Sequence, residues 1–266
     1  MLRSMDDLKD YTISATDGTI GQVKDFYFDD ESWVTRYLIV ETGNWLFSKK
    51  VLISPLAITQ PNWVDKEIPV LLTKERVKNC PDIDTEQPVS RQHEILYLGY
   101  YDYPQYWGTS GVWGNGVYPG LLMTGNIALA SRGAEQETEG VLASAEMARH
   151  KDDDIHLRSF NAVLGYHIVT TDGDIGHVSG MLLDDETWAV RYLIVNTSNW
   201  WMGHQVLIAP QWIRDVSWAQ STVSVNLTRE AVREAPPYDP AVPLNRAQEI
   251  TIHEHYGQLG YWKDKS

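Results

Sequence analysis

The chain repeats itself at a fixed offset. Residue i matches residue i+155 without a gap from Leu2 to Trp107, with about 43 identities over these 106 aligned positions. LRS at 2–4 returns at 157–159, and TDGTIGQV at 16–23 returns as TDGDIGHV at 171–178. DDESWVTRYLIVET at 29–42 returns as DDETWAVRYLIVNT at 184–197, and Tyr106-Trp107 returns as Tyr261-Trp262. Agreement this long means a tandem duplication, so any fold assigned to one repeat has to suit the other. The domains predicted are a first repeat over 1–107, a Gly-rich and acidic connector over 108–155, and a second repeat over 156–262.

Within a repeat the periodicity is that of strands. Asp17-Gly18 and Asp172-Gly173 are turn dipeptides, in which glycine accepts a positive φ. Gly21 and Gly176, inside the strand that follows, point to a bulge or a close backbone approach. That strand runs to about Phe28 and ends in an acidic turn. The next, Thr35 to Thr42, is apolar on both faces and so is covered on both. Thr73 and Thr228 are N-caps of a short helix that Pro81 and Pro236 close. The segments 82–107 and 237–262 read as irregular and Pro-rich. Five or six short strands and one helix in about 80 residues suit a small barrel, which leaves no open edge.

The order ATDGTIGQVKDFYFDDESWVTRYLIVETGNWL…KKVLISP resembles the PRC-barrel family, over about residues 5–80 and again 160–235. The resemblance implies a mainly β chain of two tandem PRC-type β-barrels, each with one short helix and related by a pseudo-twofold. It also implies a non-enzymatic binding and assembly module. Family members dock on larger complexes: the barrel occurs in the photosynthetic reaction-centre H subunit and in a 16S rRNA-maturation factor. An H-subunit-like role implies support of quinone-side electron and proton transfer; the membrane helix of that subunit has no counterpart here.

The totals bound the partners. Net charge is −14 with no Lys/Arg stripe, so direct nucleic-acid binding lacks its usual driving force. A single cysteine, Cys80, excludes an intrachain disulfide. No apolar run reaches membrane-spanning length, so a bacterial cytoplasmic location is expected, with peripheral association at the inner membrane left open. Eleven Trp and fourteen Tyr make a homodimer compatible with the composition. No cofactor is expected, and the dinucleotide, phosphate-loop and nucleophile-elbow signatures are absent.

The site candidates divide the same way, each with a structural reading beside it. Asp29-Asp30-Glu31 and Asp184-Asp185-Glu186 are a docking knob or cation site, or else turns whose carboxylates cap backbone N–H groups. Arg36 and Arg191, within apolar strands, are expected to pair with a carboxylate of the neighbouring turn or lie over an indole. Trp45, Trp200 and Trp201 sit at a strand tip and suggest a contact, either between the barrels or with a partner. His253 and His255 form an H-x-H that suits a metal if carried on one face of a strand. A protein complex is the partner expected; a small molecule or metal held between the barrels is the alternative. The aromatic ends, with Tyr101, Tyr106 and Trp107 matched by Tyr256, Tyr261 and Trp262, are expected to lie across the companion barrel. The connector is either a mobile linker or a strap carrying Trp113 and Tyr118.

Overall fold

The computed structural model describes residues 1–81, 89, 91–107, 113, 118–119, 156–197 and 204–262. The chain is mainly β and its strands form two sheets. It divides into two compact units whose boundaries are not those of the repeat. The N-repeat unit comprises Leu8–Phe160 and Glu186–Trp188. The C-repeat unit comprises Met1–Asp7, Asn161–Asp185 and Ala189–Ser266.

In the N-repeat unit the sheet order is β5-β4-β3-β2-β6: Lys50–Ile53, Val34–Thr42, Gly18–Asp29, Thr12–Ala15 and Glu67–Pro69. β2 and β6 run parallel, and the other neighbours antiparallel. The sheet is completed by β7, Leu157–Ser159, which lies antiparallel on β3 although it belongs to the second repeat. The short helix α2, Lys74–Lys78, is capped twice: Thr73 accepts from the Arg76 amide at 3.2 Å, and Asp17 of the β2–β3 turn accepts from the Lys74 amide at 2.8 Å. Gly18 has φ +130°, as the turn requires.

The C-repeat unit repeats this plan. Its sheet order is β11-β10-β9-β8-β13-β12, formed by Gln205–Ile208, Val190–Asn196, Gly173–Asp184, His167–Thr170, Thr222–Val225 and Ile213–Ser217. The strand completing it is β1, Leu2–Ser4, from the start of the chain, paired with β9. β1 runs into the one-turn helix α1, Met5–Leu8, and β7 runs into its counterpart α4, Phe160–Val163. Thr228 and Asp172 cap the helix α5, Arg229–Arg233, at 3.2 and 2.8 Å, matching the other repeat. The inner glycines mark both a bulge and a close approach. The ladder shifts register next to Gly21 and Gly176, where an added Cβ would stand 2.0 Å from the Glu41 carbonyl oxygen and 2.1 Å from that of Asn196.

Two expectations are corrected. Each repeat carries more than one short helix, because the supposedly irregular aromatic segments contain α3, Arg91–Tyr101, and α6, Arg246–His255. Asn245 starts α6 with a reciprocal capping box to Gln248, a local signal strong enough to override its Pro-rich lead-in. These helices also pack on the sheet of their own unit. Tyr97 on α3 donates to the Leu52 carbonyl at 2.9 Å, and Tyr106 reaches Glu94, both inside the N-repeat unit. Tyr261 closes in the same way on Glu249 in the C-repeat unit. Among the described residues no helix is long and apolar enough to cross a membrane.

Candidate functional site

The helices α3 and α6 are seated by a buried carboxylate each. Glu94 is wholly buried; its Oε1 accepts from the Tyr37 hydroxyl of β4 at 2.8 Å. The Tyr106 hydroxyl lies 2.8 Å from both carboxylate oxygens, and His156 Nε2 lies 2.6 Å from Oε2. At the positions 155 further on, Glu249 Oε2 accepts from Tyr192 of β10 at 3.0 Å and from Tyr261 at 2.8 Å. An ionised carboxylate taken out of water needs such partners, and two phenols at fixed geometry supply them. Their own burial first, and the neighbouring carboxylate second, push the Tyr106 and Tyr192 hydroxyls well above the ordinary phenol range, so both stay protonated donors.

A histidine joins each cluster, from positions that do not match in the repeat. His156 precedes β7, whereas His253 lies on α6 with Nε2 3.0 Å from the Tyr192 hydroxyl. The Nδ1–H of His253 donates to the Leu259 carbonyl at 2.9 Å, and burial lowers its pKa below 6.5. The cation beside Glu249 is Arg246, at 3.2 Å.

The acidic turns are spent on the fold. Asp29 Oδ1 accepts from the Glu31 and Ser32 amides at 3.0 and 2.9 Å, and its other oxygen lies 3.6 Å from Arg36. Arg36 is stacked over the rings of Tyr106 and Trp113, at 3.6 and 4.9 Å from their centroids. Asp184 pairs with Arg191 at 3.2 Å, and that guanidinium lies over Tyr261 at 4.2 Å. Asp30 meets Arg158 at 2.8 Å, and Asp185 meets Arg3 at 2.7 Å. Glu31 is exposed and Glu186 also lies at the surface. Trp113 is buried and donates to the Thr187 carbonyl at 2.7 Å, which seats the connector at that point; Tyr118 is half-buried.

The H-x-H is helical, not extended. Residues two apart on a helix point to opposite sides, and His255 bonds the Ala231 carbonyl at 2.7 Å, away from the partners of His253. Among the described residues no three metal-ligating side chains of His, Cys, Asp and Glu come together.

The strand tip is different. Trp45 is half-buried: its Nε1–H donates to the Ile20 carbonyl at 2.6 Å, and Lys74 lies 4.5 Å from its ring centroid. Two residues on, Phe47 is 94% exposed on a left-handed turn, φ +54° at both Phe47 and Ser48. The tryptophan is thus the foot of the tip and the phenylalanine its outer face. Trp200 and Trp201 lie outside the described residues.

Residues 3–76 match the family model of the PRC-barrel domain. The match points, at the level of the family, to a binding and assembly module. No curated protein matches the chain.

Proposed function

We propose that the protein docks on a partner protein of a larger assembly through the tip Asn44–Lys50 of the N-repeat unit, with Phe47 as the inserting side chain. The exposure of Phe47 carries this reading. An aromatic ring held in water by a tip anchored on Trp45 and Lys74 forgoes about 2 kcal/mol of burial. A partner pocket recovers that energy, and little ordering of the anchored tip opposes it. The acidic surface favours a protein over a nucleic acid as partner. A photosynthetic membrane complex, bound on its quinone side, is the narrower form of the same reading, and co-fractionation with source-cell membranes separates it from a soluble assembly.

The test is photo-crosslinking with a benzophenone amino acid in place of Phe47. One dominant adduct in source cells is expected, with none from the same label at Glu230 on the exposed face of α5. Equal, diffuse labelling from both positions contradicts the proposal.

A further inference from the structure

We infer that the strand-accepting edges of this protein also take the Leu-Arg-Ser strand of a second copy, so that the chain forms a strand-exchanged dimer. Neither unit is completed by the strand that precedes it in its own repeat. β1 pairs with β9 as Leu2↔Asp184, Arg3↔Leu183 and Ser4↔Leu182. β7 pairs with β3 as Leu157↔Asp29, Arg158↔Phe28 and Ser159↔Tyr27, the same register shifted by 155 in both partners. Each is pinned by one arginine to the second aspartate of the acidic turn, Arg3 to Asp185 at 2.7 Å and Arg158 to Asp30 at 2.8 Å. The Met1 amine also bonds Asp185, and the Asp185 amide donates to the Met1 carbonyl at 2.9 Å. The family match starts at Arg3, so the sequence unit of the domain includes a strand that its structural unit does not contain.

A donor strand from another copy makes every one of these contacts unchanged. The two arrangements therefore differ only in the tether, which acts through effective concentration. For a tethered donor strand that concentration is at most on the order of millimolar. Exchange between identical elements is accordingly a low-cost route to a closed dimer. The intrachain arrangement dominates in dilute solution, and exchanged dimers become comparable as the protein approaches about 1 mM, once the strands have opened.

A charge reversal tests this on the full chain. Arg3→Glu sets the donor strand against Asp185, and Asp185→Arg sets the acceptor edge against Arg3, so each variant alone loses the pair. Mixed, the altered donor of one copy meets the altered edge of the other, and the unaltered Arg3 of the second meets the unaltered Asp185 of the first. An equimolar mixture, analysed by native mass spectrometry, is expected to give a 1:1 species at twice the 30.3 kDa chain mass. It should be about tenfold more abundant than any dimer of either variant alone. The chain carrying both changes is expected to remain a folded monomer. The inference is overturned if the mixture holds no more dimer than the single variants while that double variant folds. Should the single variants not fold, two differently tagged wild-type copies refolded together at 1 mM and then diluted decide it: mixed dimers support exchange, and their absence refutes it.

Discussion

Tyr106 donates its hydroxyl to the buried carboxylate of Glu94 at 2.8 Å, and Tyr261 donates to Glu249 at the same distance, 155 residues on. The duplication has kept the carboxylate, both of its phenols and the arginine before the strand tyrosine. It has replaced the histidine by one from elsewhere in the chain. The cluster therefore sets where each long helix sits on its sheet.

Removing a carboxylate leaves two buried hydroxyls without their acceptor. Glu94→Ala and Glu249→Ala should each cost about 3 kcal/mol in denaturant unfolding. Tyr37→Phe, which removes one donor, should cost about 1 kcal/mol. A loss below about 0.5 kcal/mol for Glu249→Ala would show that the cluster does not hold the helix.

The lowered pKa of His253 makes stability depend on pH in one direction. As pH falls, the unfolded chain takes up the proton first, at its ordinary value near 6.5, while the buried imidazole stays neutral. Its contribution is therefore present above that pH and lost below it, with a slope of up to about 1.4 kcal/mol per unit. Between pH 7.5 and 5.5 the wild type should lose more stability than His253→Gln. Parallel curves for the two would rule out His253 as the source.

The inner glycines are required by space, not by φ. Gly176→Ala drives a methyl group into the Asn196 backbone and should cost about 2–3 kcal/mol. Gly99, within α3, has nothing within 4 Å of an added Cβ, and Gly99→Ala should stabilise by about 0.5–1 kcal/mol. Thermal midpoints moving in opposite directions are the expected readout.

Because β1 and β7 each complete a unit built mostly from the other repeat, cutting the connector should not separate the halves. A protease site inserted after residue 135 and cleaved in the folded protein should leave two fragments that co-elute. Fragments that elute separately would mean the exchanged strands do not form.

Much of this was legible in the sequence. The 155-residue register, the Asp-Gly turns, the crowded glycines and the Thr73 and Thr228 caps follow from residue type and spacing, because each answers to a local backbone demand. The pairing of Arg36 and Arg191 with their turns was legible for the same reason. The long helices were not; in the second repeat the run of prolines before the helix masks a capping box that Asn245 and Gln248 still spell out. Glu94 and Glu249 stood among the repeated identities, but a buried carboxylate looks like any other until its phenols are placed. His156 and His253 reach equivalent clusters from positions that the repeat does not match, so the 155-residue register does not pair them. The strand exchange leaves no trace in an alignment, because both donors read Leu-Arg-Ser. At the tip, Trp45 drew attention for its size, whereas the exposed residue is Phe47.

The docking account is tested most directly by quantitative affinity capture from source cells, comparing the wild-type chain with Phe47→Ser and with Leu71→Ser, a second exposed apolar position. It predicts at least one protein enriched with wild type and with Leu71→Ser and lost about tenfold with Phe47→Ser. If the three chains capture the same proteins in the same amounts, Phe47 is not the docking residue and the account fails.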